Sequence, residues 1–309
     1  MEGSACQLNT VAEPVRHLAQ YDCEVNTNEY IAGGHSACAG CGGSLALRML
    51  LKVMGPKTVM IIPPQCSGSA SASARITRVQ ALFPAAAAYA AGVKHGLEAI
   101  GDSETQVISY AGDGGTYDIG LQAISGAAER NDNIIHFCGD NEAYMNTGVQ
   151  RSSATPMGAW TNSSPAKAEP KKDMMAIMAA HHIPYAATVS IAYPDDFMRK
   201  VQRAKDTPGF RFMRVLASCP TGWRSEPDTG VHVARLAVQA KFDPLYELYD
   251  GRRVVVQQPA RFVPVGEYLK TQRRFAHLRA DDVGALQAKV DADWEELLAR
   301  ADKVETLRY

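Results

Sequence analysis

The stretch AGDGGTYDIG, residues 111–120, places a carboxylate between glycines where a strand-like run, QVISY, gives way to a helical pattern. Three glycines let a ligand approach the backbone closely: Gly112, Gly114 and Gly115. A helix that begins near Asp118 points its N-terminus at the same spot and favours an anion such as a diphosphate. Because Asp113 would repel that anion, we expect Mg²⁺ to bridge the two. A plain surface turn is the alternative.

A second stretch, CGDNEAYMNTG at residues 138–148, closes the next strand-like run with further oxygen-bearing side chains. Asn141 follows Gly114 by 27 residues, which is roughly the length of one helical crossover between neighbouring parallel strands. Asp113 and Asn141 can therefore meet over a single metal ion, at the carboxyl ends of the strands where such sheets bind ligands.

Strand-like and helical segments alternate around these two stretches. The strand-like segments are short apolar runs at 58–62, 106–111, 133–139, 185–190 and 211–217, the last of which is expected to complete the sheet. The helical segments have helical apolar spacing or are rich in alanine, at 44–54, 82–100, 119–130, 173–181 and 195–205. This alternation predicts an α/β fold, with right-handed βαβ units and a parallel sheet covered by helices on both faces.

Three parts are expected along the chain. Residues 1–30 form an N-terminal arm, residues 31–225 hold the sheet and both motifs, and residues 226–309 form a C-terminal helical extension with subunit contacts. The helical pattern over 281–303 is amphipathic and could pack on a partner chain or back on its own domain. The aperiodic stretch 151–172 is typical of a functional or mobile loop.

The composition is that of an ordinary globular protein. The chain has 309 residues, of which 46% are hydrophobic, and a formal net charge of −1, so no nucleic acid or anionic membrane is expected as a partner. The N-terminus has no secretory signal pattern, and the richest apolar run, at 81–93, is too short to span a bilayer. We expect a cytoplasmic location.

Seven cysteines in a chain of this length do not indicate a disulfide scaffold. Cys38 and Cys41 form a CxxC ahead of a helix, a spacing that also suits zinc or dithiol chemistry. Cys66 and Cys219 follow strands, and Cys219 precedes a proline, as cysteines beside iron–sulfur clusters do. Cys138 is expected to be a small buried side chain. The remaining two, Cys6 and Cys23, have no assigned role.

Taken in order, the motifs resemble one enzyme family. The order is GHSACAGCGG, a lone cysteine after a strand, GDGGTYDIG, DNEAYMNTGVQRSSATPMGAW and SCPTGW. This resembles the β subunit of 2-oxoacid:acceptor oxidoreductases of the pyruvate:ferredoxin oxidoreductase type, over roughly residues 30–225. The resemblance implies a thiamine diphosphate-binding fold and CoA-dependent oxidative decarboxylation of 2-oxo acids. Acyl-CoA and CO₂ would form, and electrons would pass through a [4Fe–4S] cluster to ferredoxin or, via partner subunits, to NAD.

The resemblance also implies roles for individual residues. The cluster ligands would be Cys38, Cys41, Cys66 and Cys219, and the Mg²⁺ ligands would be Asp113, Asn141 and the carbonyl of Ala143. Thiamine diphosphate would be surrounded by His35, Gly112, Asp113, Gly114, Gly115, Asp118, Asn141, Ala143, Tyr144 and Asn146. The candidates for catalytic roles are Asn146 and Thr147. For His35, the functional role is a hydrogen bond to cluster or cofactor, and an ordinary loop histidine is the alternative.

The implied partners are α- and γ-type subunits, a ferredoxin-like iron–sulfur subunit and an NAD-linked flavin subunit. The carboxylate that activates thiamine diphosphate belongs to another subunit in this family. Three loop lysines could attract coenzyme A phosphates, although a solvated charge run is the commoner role: Lys167, Lys171 and Lys172. Two other classes remain open, a non-redox thiamine diphosphate decarboxylase or ligase, and an iron–sulfur or zinc interaction subunit.

The residues after Cys66 bear on the substrate. Ser67, Gly68, Ser69 and Ala70 are small, so they would leave volume that pyruvate does not fill if this loop lines the pocket. That predicts a larger 2-oxo acid, with phenylglyoxylate as the leading expectation and pyruvate or oxalate as alternatives. The loop could instead pack only on the cluster.

Overall fold

The computed structural model describes residues 15–18 and 23–307. The strands are β1 (Val15–Leu18), β2 (Cys23–Asn26), β3 (Thr58–Ile62), β4 (Thr77–Gln80), β5 (Gln106–Gly112), β6 (Ile135–Asp140), β7 (Tyr185–Val189), β8 (Arg211–Leu216), β9 (Leu245–Tyr249), β10 (Arg253–Gln258) and β11 (Lys303–Thr306). The α-helices are α1 (Gly42–Met54), α2 (Gly68–Ser71), α3 (Ala86–Ala99), α4 (Leu121–Glu129), α5 (Met174–Ala180), α6 (Pro194–Asp206), α7 (Pro220–Trp223), α8 (Gly230–Gln239), α9 (Val265–Leu269) and α10 (Ala280–Ala299).

A nine-stranded sheet runs in the order β11-β10-β9-β7-β8-β6-β5-β3-β4, and β1 and β2 form a separate antiparallel pair. In the nine-stranded sheet all strands are parallel except β9, which is antiparallel to both of its neighbours. The predicted α/β fold with a mostly parallel sheet is confirmed. The expectation that 211–217 completes the sheet is wrong, because β9, β10 and β11 extend it. A tight turn at Asp250 and Gly251, both with positive φ, reverses the chain after β9.

Helices cover both faces of this sheet. On one face, α1 and α6 bury apolar side chains such as Leu50 and Phe197. On the other face lie α3, α4 and α5, together with Trp294 of α10. The helix α10 also buries Leu286 and Val290 within the chain, so its apolar face packs back on its own domain. None of the helices in the described part is long and apolar enough to cross a membrane.

The best-predicted elements are those with a strong local signal. The helix α1 ends before Gly55, whose φ of 76° is costly for residues with a Cβ. The strands β3 and β5 begin at the residues that the apolar runs indicate. The strand β4 carries no such signal, because it is an edge strand with mostly exposed side chains.

Candidate functional site

Four adjacent strands carry the candidate ligands just beyond their carboxyl ends. The strands β3, β5, β6 and β8 are neighbours in the sheet. In sheet order they are followed by Cys66, Asp113, Asn141 and Cys219. The crossover between β5 and β6 therefore brings Asp113 and Asn141 to one edge, as their spacing predicts. We call Asp113, Asn141 and Ala143 the oxygen site.

A cavity of about 150 Å³ opens at this edge. It is lined by Pro64, Gln65, Cys66, Phe83, Gly112, Asp113, Gly114, Gly115, Asn141, Ala143, Tyr144, Met145, Asn146 and Thr147. The lining includes most of the predicted cofactor residues and also Cys66. Asp118 and His35 are not among them.

The oxygen site brings three polar groups within contact distance. One end of the Asn141 amide lies 2.8 Å from the carbonyl oxygen of Ala143 and 3.0 Å from Oδ1 of Asp113. With the amide nitrogen at that end, the group donates two hydrogen bonds. With the oxygen there, the three oxygens face one another. In an octahedron around Mg²⁺ with 2.1 Å bonds, adjacent oxygens lie about 3 Å apart, so this spacing fits a shared cation.

Asp113 is a buried carboxyl group whose negative charge is only partly balanced by nearby positive charge. It is 2% exposed. Burial raises its pKa well above the ordinary value, and the charge of Asp140 adds to that rise. A hydroxyl donor, Ser152 Oγ, contacts its Oδ2 at 2.5 Å and acts in the opposite direction. A bound cation would supply the missing charge and favour the ionised carboxylate.

The glycine-rich loop is shaped around Tyr144. A Cβ on Gly114 would lie 2.3 Å from the Tyr144 ring, so only glycine fits there. Tyr144 donates its hydroxyl hydrogen to Asp118 Oδ2 at 2.9 Å. Asp118 therefore orients the tyrosine and does not itself face the cavity.

The start of the following helix differs from the prediction. Residues Gly114–Asp118 form one π-helical turn, closed by the amide of Ile119 on the carbonyl of Gly114, and α4 begins only at Leu121. A Cβ on Gly120 would lie 1.9 Å from the carbonyl oxygen of Gly115. Glycine at 120 permits this tight approach, which the helical pattern alone did not indicate.

The four candidate cysteines, which we call the cysteine site, lie close enough to influence one another. Cys38 is exposed, and Cys41, Cys66 and Cys219 are half-buried. Burial, and then the charges of Cys219, Cys41 and Cys38, raise the pKa of Cys66 to about 12. Within the described residues, no group of three or more His, Cys, Asp or Glu side chains is arranged to hold a single metal ion.

Close backbone packing joins the segments of the cysteine site. The amide of Gly42 donates to the carbonyl of Ser218 at 2.9 Å, which ties the CxxC loop to the segment before Cys219. A Cβ on Gly40, whose φ is 73°, would lie 1.9 Å from the carbonyl oxygen of Pro227. The amide of Gly222 also donates to the sulfur of Cys219 at 3.4 Å. The segments that carry Cys38, Cys41 and Cys219 thus pack against one another.

The remaining predicted residues have varied surroundings. His35 lines a separate cavity with Glu29 and Arg48, and its Nδ1 is buried without a hydrogen-bond partner among the described residues. Its hydrogen bond to a cofactor stays a prediction. Asn146 and Thr147 lie in a turn at the cavity rim, where Thr147 donates to Gln150 Oε1 at 2.8 Å. Cys138 is fully buried, as expected. Cys6 and the side chain of Cys23 lie outside the described residues.

The small residues after Cys66 do not line the cavity. Ala70 is fully buried in the core beside α1. Ser67 is buried as well, and its hydroxyl would contact a Cβ placed on Gly43. The chain turns into α2 directly after Cys66 and buries Ser67 and Ala70. This favours the alternative in which the loop packs inside the protein, and the size of the substrate stays a prediction.

Sequence reasoning missed a buried charge network beneath Asn141. Lys171 contacts Asp140 at 2.6 Å and Glu142 at 2.9 Å. Arg274, from the C-terminal segment, contacts Glu142 at 2.6 Å. Asp140 and Glu142 are both buried, and buried acids require cations beside them. The two acids on either side of Asn141 were the only signal available in the sequence.

The loop lysines are neither a solvated charge run nor free to meet phosphates. Lys167 is 2% exposed, and its Nζ donates to the carbonyl of Thr155 at 2.7 Å. Lys172 donates to the carbonyl of Tyr117, and Lys171 belongs to the buried charge network. Lys167 holds the loop 151–172 together, and Lys171 and Lys172 tie it to Asp140 and Tyr117.

The fold and motifs match known proteins. The family model "Thiamine pyrophosphate enzyme, C-terminal TPP binding domain" matches residues 75–215. Pyruvate synthase subunit PorB of Methanothermobacter thermautotrophicus is 45% identical over 285 residues, which cover 89% of this chain and 99% of the relative. Ketoisovalerate oxidoreductase subunit VorB of Pyrococcus horikoshii is 43% identical over 292 residues, with coverage of 89% and 94%.

A solved 2-oxoglutarate:ferredoxin oxidoreductase from Magnetococcus marinus shares the fold. Its TM-score is 0.56 at 20% identity, over 67% of this chain and 79% of that one. The extent of the identity to the PorB and VorB relatives shows the family that the motifs indicate. The chain is a β subunit of the hetero-oligomeric 2-oxoacid:ferredoxin oxidoreductases and carries their thiamine diphosphate-binding domain.

Proposed function

We propose that this subunit holds Mg²⁺–thiamine diphosphate and one [4Fe–4S] cluster for the CoA-dependent oxidative decarboxylation of a 2-oxo acid. The observation that carries the proposal is the shared cavity. Cys66, from the cysteine site, and the whole oxygen site line the same space. Such proximity suits a reaction in which electrons leave one cofactor for the other.

The chain's own residues would have distinct tasks. Asp113, Asn141 and the Ala143 carbonyl would hold Mg²⁺ through the three oxygens that face one another, and Gly112 and Gly114 would admit the diphosphate. When bound, thiamine diphosphate supplies an electron sink for decarboxylation. At the rim, the side-chain amide of Asn146 can donate hydrogen bonds to a carboxylate or carbonyl of the substrate. The hydroxyl of Thr147 would do so by exchanging its bond to Gln150 Oε1.

The surroundings of the site support the need for partner subunits. Asp113 is the only carboxylate among the described residues that line the cavity, and it is committed to the metal. The carboxylate that activates the cofactor would therefore come from an α-type subunit. Exposed Cys38 would place one corner of the cluster near the surface, where a ferredoxin-like subunit, a γ-type subunit or an NAD-linked flavin subunit could collect electrons.

Assays on the anaerobically purified complex test this proposal. We expect four irons and four sulfides for this subunit in addition to those of its partners, one thiamine diphosphate, and CO₂ release that requires both coenzyme A and an electron acceptor. Decarboxylation without iron or coenzyme A would indicate the non-redox class, and iron without thiamine diphosphate the interaction subunit. Comparing kcat/KM for pyruvate, 2-oxoisovalerate, oxalate and phenylglyoxylate identifies the substrate.

A further inference from the structure

We propose that Trp223 is a positioning residue that couples the two cofactor sites, so that occupancy of the cysteine site strengthens Mg²⁺–thiamine diphosphate binding. The proposal rests on the proposed function, because it assumes both cofactors. It concerns Trp223 as a link between the two sites, since its backbone amide bonds to Cys219 and its indole to Asn141.

Trp223 contacts both sites through hydrogen bonds. It ends the single-turn helix α7 that begins after Cys219, and its amide donates to the carbonyl of Cys219 at 2.8 Å. Its indole Nε1 donates to the carbonyl of Asn141 at 2.9 Å. The side chain is fully buried, and its hydrogen bond to the half-buried Asn141 is partly shielded from water. A shift of α7 therefore moves the donor that holds the metal-ligand loop.

Arg274 fixes the orientation of the indole. Its guanidinium carbon lies 4.1 Å from the centre of the Trp223 ring, a cation–π geometry. The same guanidinium donates to Glu142 Oε2 at 2.6 Å, and Glu142 adjoins Asn141 in sequence. Arg274 thus holds the ring from one side. The indole N–H bonds to Asn141, and Arg274 bonds to Glu142 in the same loop.

This arrangement predicts thermodynamic coupling. A cluster that fixes Cys219 fixes α7, and a fixed α7 presents the indole N–H to Asn141 in one position. When the cluster has already ordered the loop that carries Asn141, Mg²⁺–thiamine diphosphate does not have to order it on binding and therefore binds more tightly. By linkage, bound Mg²⁺–thiamine diphosphate must then favour the cluster to the same extent.

A double-mutant cycle on the assembled complex tests the coupling. Trp223→Phe keeps an aromatic ring over Arg274 and removes the N–H, and we expect about a 3- to 10-fold weaker affinity for Mg²⁺–thiamine diphosphate. Cys219→Ser alters the cysteine site and should weaken the same affinity through Trp223. In the Trp223→Phe background, Cys219→Ser should have much less effect. Calorimetric titration of the cofactor-depleted complex measures all four affinities, and additive effects would overturn the coupling.

A spectroscopic measurement covers the case in which Cys219→Ser does not assemble. In the wild-type complex, adding Mg²⁺–thiamine diphosphate should change the electron paramagnetic resonance spectrum of the reduced cluster of this subunit. In Trp223→Phe, at saturating Mg²⁺–thiamine diphosphate, that change should be lost. An equal change in both proteins would contradict the proposal.

Trp294→Phe is the matched control. Trp294 is also buried, at 4% exposure, but it lies in α10 against Phe262. This variant should keep both the wild-type affinity and the spectral change, and a loss equal to that in Trp223→Phe would point to general destabilisation. If the wild-type complex binds no thiamine diphosphate, the proposed function fails. If it binds and the cycle is additive, only the coupling fails.

Discussion

The oxygen site and the cysteine site differ in how the fold builds them. Asp113 and Ala143 are 2% and 3% exposed and follow adjacent parallel strands whose register is fixed up to the pair Gly112 and Gly139. Cys38 and Cys41 precede α1, and Cys66 and Cys219 follow β3 and β8. Cys38 is exposed and the other three are half-buried.

The difference separates a site that is preformed from one that needs its ligand. Sheet hydrogen bonds and a buried charge network hold most of the oxygen site in place before any ligand arrives, and the hydrogen bond from Trp223 to Asn141 is its connection to the cysteine site. The cysteine site depends on loops that touch through a few backbone contacts. We therefore expect substitutions at the oxygen site to affect cofactor affinity and the stability of the chain. Those at the cysteine site should affect the cluster most, and cofactor affinity only through Trp223.

Asp113→Ala should produce the largest effect on the oxygen site. It removes the charged metal ligand. Residues that only hydrogen-bond to metal ligands contribute about 10- to 100-fold to metal affinity, so the affinity for Mg²⁺–thiamine diphosphate should fall by more than about 100-fold. Most of the iron should remain, because the cysteines lie on other segments and, within the described residues, the two sites are connected by hydrogen bonds only through Trp223. Calorimetry and metal analysis of the assembled complex measure both quantities. Glu295→Ala, at an exposed position in α10, is the control, and normal cofactor stoichiometry in Asp113→Ala would refute the metal assignment.

Cys219→Ala is the corresponding change in the cysteine site. The proposed cluster would lose one of four ligands, so we expect most of its iron and visible absorbance to disappear. Cys138→Ala is the matched control, because Cys138 is fully buried in β6. It should keep its iron and lower the free energy of unfolding by about 1 kcal/mol. Equal iron content in the two variants would show that the ligand set is wrong.

Glu142→Gln tests whether the buried network stabilises the oxygen site. Burial alone would raise the pKa of Glu142, but Lys171 and Arg274 outweigh it and lower that pKa. Neutralising Glu142 leaves buried positive charge uncompensated, which should cost about 3 kcal/mol of unfolding free energy.

Urea denaturation of the full chain measures this cost. The matched control is Glu169→Gln, which breaks the exposed pair with Arg151 at 2.9 Å and should change the free energy of unfolding far less. Similar costs for the two variants would mean that the network contributes little to holding the loop.

The sequence predicts those features that depend on short-range signals. The runs that become β3, β5 and β6 are apolar and bounded by turn residues, so strand type, crossover length and the meeting of Asp113 with Asn141 all follow from local spacing. The strand β4 is not predicted because its side chains are mostly exposed and form no apolar run. The helix α10 shows its apolar face in sequence, but only the structure shows what that face contacts.

The missed features depend on contacts between distant residues. Glu142 and Arg274 are separated by 132 positions, and Trp223 lies 82 positions from Asn141. No periodicity links such pairs. The surroundings of the residues after Cys66 are equally hard to predict, because whether a loop faces a cavity or the core depends on the direction of the chain after the strand.

The smallest predicted effect concerns the layer beneath the oxygen site. His136 is fully buried in β6. Its Nε2 lies 3.1 Å from Thr116 Oγ1, and its Nδ1 lies 3.1 Å from Ser109 Oγ. Thr116 in turn donates to the carbonyl of Gly112 at 2.8 Å, so the histidine supports the glycine-rich loop from below. Burial lowers the pKa of His136 to about 3, from 6.5 in the unfolded chain.

The sign of the pH dependence follows from that lowered pKa. Below pH 6.5 the unfolded chain binds a proton at this histidine, and the folded chain does not until the pH approaches 3. Folding stability is therefore lost as the pH falls, by about 1 kcal/mol between pH 6.5 and 5.5. His136→Gln should remove that part of the dependence, whereas His277→Gln, at an exposed position, should keep it. Urea denaturation of the cofactor-free chain at both pH values measures the difference. If His136→Gln keeps the wild-type pH dependence, other residues cause the acid sensitivity. His136 would then no longer support the view that the oxygen site is held in place before a ligand binds.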